Sequence, residues 1–220
     1  MPARTSSPPP AVPANNDAGV DSFLCQHGGT AGATFFGFNS KKGKYLARDE
    51  TEIPSGREFV LAYDQIQCGF IKFNGPGRMP DRKMGPMFGG FIPPNVEDLP
   101  DRDQSTWDRN DRGELRDPWQ YQVMLPLYSP DDNAAFIFST SSKTGLNAVA
   151  KLVFVARKMQ RTTPDDYPLV KLEVSNFQHR DPYVGKVEIP VFKAIGAVKK
   201  DGRALKDVPY DQDLSDCVPF

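Results

Sequence analysis

Residues 119–161 read WQYQVMLPLYSPDDNAAFIFSTSSKTGLNAVAKLVFVARKMQR, and this stretch decides the fold. Residues 119–127 are apolar and aromatic and carry no charge, as a buried strand requires. Asp131, Asp132 and Asn133 supply a turn. Residues 134–140 (AAFIFST) read as a second buried strand. Ser141, Ser142 and Thr144 then offer helix caps, and Gly145 loosens the entry. Leu146, Val149, Ala150, Val153 and Ala156 recur at helical spacing on one face, with Asn147, Lys151, Lys158 and Arg161 on the other. The spacing predicts a helix near 144–160, the only long one in the chain. The expected class is mainly β, with this helix inserted between strands.

Upstream, residues 33–63 hold three strand patterns, TFFGFN, GKYLA and FVLAYD, separated by turns at 39–43 and 55–56. They read as a β-meander. Residues 66–73 (IQCGFIKF) form a further strand that ends at the tight-turn pair Asn74-Gly75. A polar excursion of Gly, Pro and charge follows over 74–118; its 97–117 part holds eight acidic and four basic residues. A connection this long is expected to be mobile or functional, with Trp107 pinning it to the body. Downstream, LVKLEVS (169–175) and GKVEIPVFKAIG (185–196) are strands, and Pro190 places an edge or a bulge in the second.

Counted from Ile66, the order is strand, long loop, strand, strand, helix, strand, strand. That is the order of an OB-fold, a five-stranded Greek-key barrel with its helix between the third and fourth strands. The fold recurrently binds oligonucleotides or oligosaccharides. The expected organisation is a disordered Pro-rich arm over 1–30 and an OB-like domain over 31–198, with the meander at 31–65 and the barrel at 66–198. A disordered acidic tail is expected over 199–220.

The 220 residues, 39% of them hydrophobic, suffice for one large domain. No run approaches the roughly 20 apolar residues of a membrane helix. The Pro- and Ser-rich start lacks an apolar signal core, so no secretion is expected. Cys25, Cys68 and Cys217 fit free thiols in a reducing compartment. The net charge of -1 hides an asymmetry: residues 207–220 carry four Asp and no Lys or Arg. The remainder carries 27 basic against 24 acidic residues. Such asymmetry points to partners.

Catalysis finds little to stand on. His27 and His179 are the only histidines, and no GxSxG, HExxH or Gly-rich phosphate loop occurs. Asp131-Asp132 and Asp165-Asp166 carry turn chemistry rather than a paired-carboxylate site. Cys25, His27, Cys68 and His179 match no common zinc spacing. The expectation is a non-enzyme without metal or cofactor.

Single-strand binding fits better. It needs cations for phosphates and aromatic faces for bases. Between Ser22 and Arg48 no acid occurs, while Lys41, Lys42 and Lys44 interleave with Phe36, Phe38 and Tyr45. Lys72 and Phe73 close the 66–73 strand, and Trp119 and Tyr121 open the next long one. Between Asn133 and Pro164 acids are again absent, with Lys143 and Lys158 among the cations. These twelve residues are the expected nucleic-acid contacts. Strand alternation sends about half of such aromatics into a core.

The chain ends DQDLSDCVPF. This tip resembles that of bacterial single-stranded-DNA-binding proteins, an acidic stretch followed by Asp-Asp-aliphatic-Pro-Phe. Asp213 and Asp216 match the acidic part, and Val218, Pro219 and Phe220 match the end. Cys217 departs from the pattern, standing where that tip carries acid. The resemblance implies recruitment of replication or recombination enzymes through these five residues. TFFGFNSKKGKYL, the IxxGFIKFNG strand, DPWQYQ and FSTSSKTGLNAVAKL are similar to phage and prophage proteins of comparable length. That likeness implies a phage replication or recombination setting in the cytoplasm of a bacterial host. The expected function is sequence-independent single-stranded-DNA binding, without membrane attachment and with room for homo-oligomers. The rival readings are a phage structural or assembly β-protein, whose barrel packs only against copies of itself, and a carbohydrate-binding module, which the lysine-rich meander disfavours.

Overall fold

The computed structural model describes residues 33–199 except 76–77, 111–112, 132–133 and 181–182, together with the backbone of 204–205. The chain is mainly β. Its strands are β1 (Thr34–Asn39), β2 (Lys44–Ala47), β3 (Glu52–Ile53), β4 (Glu58–Leu61), β5 (Gln67–Lys72), β6 (Asp81–Pro86), β7 (Trp119–Tyr128) and β8 (Ala135–Thr140). One α-helix, α1 (Lys143–Thr162), follows, and then β9 (Asp166–Gln178), β10 (Lys186–Lys199) and β11 (Ala204–Leu205).

The long apolar strand β7 organises the sheet. One of its edges pairs with β8 from Val123 to Tyr128. Its other edge is shared: β5 takes Trp119–Met124 and β4 takes Leu127 and Tyr128. The full order is β11-β10-β9-β4-β7-β8-β1-β2-β3, with β6 added outside β5. Every pairing is antiparallel except β1 with β8, so the sheet is mixed.

The strand–strand–helix–strand–strand order read from the sequence is present, but the sheet is open and the expected closed five-stranded barrel does not form. Closure would need strands on either side of the helix to complete a ring. Instead β8 takes β1 as its second neighbour, and β9 takes β4. The meander set apart from the barrel thus supplies the partners that a barrel would have found within 66–198. The sheet curls all the same. Tyr45 of β2 reaches β9 and β10, where its hydroxyl donates to the Glu173 carbonyl at 2.8 Å and accepts from the Val191 amide at 3.0 Å. Inside the curl Phe36, Phe59, Leu61, Leu125, Phe138, Leu152 and Leu172 form one buried cluster. Full burial of each such side chain contributes about 1.5–3 kcal/mol before entropy is counted.

The Ser142 hydroxyl caps α1 by accepting from the Gly145 amide at 3.1 Å. Gly145 is buried, and a Cβ there would collide with the Thr140 hydroxyl. Its role is close approach rather than looseness. The buried helix face is Val149, Leu152, Val155, Ala156 and Met159, rotated from the expected stripe, and Ala150 is exposed.

β10 has β9 along one side and β11 on the other only at Ala197 and Val198. Pro190 therefore lies on an edge, and a register shift follows at Ala194/Gly196. Pro has no N–H to leave unpaired there. The 74–118 excursion contains β6 and three short 3₁₀ turns. Lys72–Asp101 and Arg102–Asp117, both at 2.8 Å, fasten it to the ends of β5 and β7. Trp107 donates from Nε1 to the Asp101 carbonyl and lies under the Arg102 guanidinium at 4.9 Å.

Candidate nucleic-acid interface

The first three turns of α1 and the β9–β10 hairpin enclose a groove of about 1150 Å³. From the helix come Lys143, Asn147, Lys151 and Phe154, spaced to share one face. From the hairpin come Phe177, His179 and Arg180 on the β9 side and Val187 and Ile189 on the β10 side. Pairing of Phe177 with Val187 and of Ser175 with Ile189 aligns these side chains on one face of the hairpin. Phe154 is 52% exposed and Phe177, tilted against the His179 ring at 6.4 Å between centroids, is 42% exposed. None of the described residues lining the groove is acidic. Among the described residues no ion pair engages Lys143, Lys151 or Arg180.

The β1–β2 turn adjoins this groove. Parallel pairing of Phe36 with Phe138 carries Asn39 past the end of β8, where α1 begins. The Asn39 carboxamide accepts from the Lys41 and Lys42 amides at 3.1 and 3.0 Å, and Gly43 lies against Glu188 of β10. Lys41 and Lys42 are exposed. Lys44 is exposed too, in an ion pair with Glu52 at 2.6 Å.

The other expected contacts divide. Phe36, Tyr45 and Trp119 are buried, so none presents a ring face to a ligand. Each points inward because strand alternation gives its side to the core. Burial and the Glu173 carboxylate push the Tyr45 phenol well above its ordinary value. Phe38 is half-buried against Tyr45, their centroids 5.0 Å apart. Tyr121 is half-buried against Phe70, and burial and the Cys68 thiol push its phenol up to about 12. Lys72 is committed to Asp101, whose carboxyl that contact holds below the usual range. Phe73 is 60% exposed beyond β5. Lys143 lines the groove, whereas Lys158 is exposed on the last turns of α1 and does not line it. Asp213, Asp216, Val218, Pro219 and Phe220 lie outside the described residues.

Lys151, Phe154, Phe177 and Arg180 were not among the expected contacts. Phe154 carried a signal, an aromatic ring on a helix face otherwise marked by Lys151 and Lys158. Phe177 carried a weaker one, since it shares strand parity with Lys171 and Glu173. Among the described residues no group of three His, Cys, Asp or Glu could hold a metal ion. No helix among them is long and apolar enough to cross a membrane. Comparison with protein-family models, with curated proteins and with solved structures finds no significant match for this chain.

Proposed function

We propose that this protein binds single-stranded nucleic acid, with single-stranded DNA in phage replication or recombination as its setting. One observation carries the reading: two exposed rings, Phe154 and Phe177, stand in one groove with Lys143, Lys151 and Arg180, and none of the described residues lining it is acidic. Bases stack on such rings whatever their identity, and unpaired cations displace counterions from phosphates. Lys41 and Lys42 add exposed positive charge on the β1–β2 turn. The OB-like strand–helix order supports the reading by analogy alone. The terminal Asp213, Asp216, Val218, Pro219 and Phe220 are the proposed contact for partner enzymes, through an aromatic ring and steering charge.

Fluorescence anisotropy with labelled oligo-dT at two salt concentrations tests it. Three phosphate contacts give a log–log salt slope of about -2 on a single strand. Absence of binding at low salt overturns the reading. Concentration-dependent self-association in that case favours a structural or assembly role.

A further inference from the structure

We propose that the exposed face of α1 is a phosphate track that carries a single strand out of the groove along the whole helix. The proposal rests on the reading of the groove as a single-strand site, and it gives that site its length and path.

The helix runs from Lys143 to Thr162. At about 100° per residue, Lys143, Lys151, Phe154, Arg157, Lys158 and Arg161 fall within about one third of its circumference. All six are exposed, on the side opposite the buried Val149, Leu152, Ala156 and Met159. Lys143, Lys151 and Phe154 line the groove, and Arg157, Lys158 and Arg161 continue the same face past its mouth. Among the described residues no ion pair engages any of the five cations. The helix itself contains no Asp or Glu. Of the acids that follow it, Asp165 is exposed beyond the helix end, and Asp166 is buried and paired with Lys199 at 2.6 Å.

A solvated helix face ordinarily mixes signs, because opposite charges one turn apart support the helix. Here Arg157 and Lys158 each stand one turn from Arg161, and like charges at that spacing work against the helix. A polyanion laid along the face relieves the repulsion. Phe154 stands midway, 52% exposed, where a base can stack while phosphates pass the cations on either side. From Lys143 to Arg161 the axis measures about 27 Å at about 1.5 Å per residue. At about 3.4 Å per stacked nucleotide, that length takes about 8 nucleotides. The helix dipole grades the track, positive at Lys143 and negative at Arg161. The strand is therefore held hardest in the groove, and the outer cations add reach. A bilayer fits worse. A helix that lies in a membrane surface buries a broad apolar face there, and Phe154 is the one large apolar side chain on this face.

The test measures the full chain against oligo-dT of two lengths at two salt concentrations. One strand, of about 4 nucleotides, fits the groove alone; the other, of about 12, spans groove and track. The intact chain is expected to give a log–log salt slope of about -2 on the shorter strand and about -4 on the longer, where three further cations join. Lys158→Gln/Arg161→Gln is expected to weaken binding of the longer strand and reduce its slope by about 1.4, with the shorter strand unaffected. Lys158→Arg/Arg161→Lys should keep the slope. An unchanged slope on the longer strand overturns the track and leaves the groove reading intact. Equal loss on both lengths also overturns it, because the outer cations then act only through the general field. Binding of the longer strand that depends on Lys158 and Arg161 but not on Phe177 supports the track and removes the groove reading instead. Absence of binding at either length overturns both. Flotation with phosphatidylserine–phosphatidylcholine vesicles that depends on Lys158 and Arg161, without oligo-dT binding, overturns the track in favour of a membrane.

Discussion

The Tyr45 hydroxyl accepts a hydrogen bond from the Val191 amide at 3.0 Å, across 146 residues of chain. The same oxygen donates to the Glu173 carbonyl, and Glu173 is the register partner of Val191. A side chain thus joins the two wings of an open sheet. Tyr45→Phe keeps the ring packing and removes the oxygen. It should cost about 1–3 kcal/mol, the penalty for buried backbone groups left unpaired. Urea unfolding with an unchanged m-value checks this, and a loss below the measurement error would show that water replaces the phenol.

Alkali should weaken the protein through the same group. The Tyr45, Tyr121 and Tyr167 phenols all hold their protons more tightly when folded, chiefly because they are buried. An unfolded tyrosine titrates near about 10, so the stabilisation is complete below that pH and is lost as pH rises toward the folded values. Urea midpoints should therefore fall from about pH 10 upward. Tyr45→Phe should flatten this decline, and an identical decline in that variant would assign it elsewhere.

Charge reversal at Lys143 and Lys151 should weaken oligo-dT binding and reduce the salt slope by about 0.7 for each phosphate no longer neutralised. Phe154→Ala and Phe177→Ala should each cost roughly 1–3 kcal/mol of binding and leave the salt slope in place. All four side chains are exposed, so thermal unfolding should be nearly unchanged. A uniform loss of slope in the phenylalanine variants would contradict the division between stacking and charge.

Gly145→Ala reverses the ordinary helix rule. Alanine is favoured over glycine in a helix by about 1 kcal/mol. Here the new methyl meets the Thr140 hydroxyl and the Ser142 cap. Net destabilisation of about 1–3 kcal/mol is expected. A stabilised variant would show that β8 and α1 can separate freely.

Local chemistry in the sequence was enough to read α1, β7 and β8. Apolar runs, turn residues and the Ser142 cap act within a few residues of where they stand. Pairing partners act at long range, and nothing in TFFGFN says that it lies parallel to AAFIFST. That is why the closed barrel was expected and an open sheet is found. The candidate site was legible to the same depth. Lys143 could be picked from an acid-free stretch, and Lys41 and Lys42 from a turn. Aromatics were harder, because a ring facing solvent and a ring facing the core have the same composition. Phe36, Tyr45 and Trp119 went inward with their strands. Phe154 and Phe177 became visible only when the helix and the hairpin were set side by side.

The parallel pairing of β1 with β8 also sets a schedule for synthesis. Thr34 is partnered by Phe136, and Glu58 by Lys171. With about 100 residues between such partners, a ribosome adding 5–20 residues per second makes each early strand wait roughly 5–20 s. Until then β1 has β2 as a strand neighbour but lacks β8. The nascent chain is therefore most open to chaperone capture, or to sticking to its neighbours on a polysome, over the hairpin that later sits beside the groove.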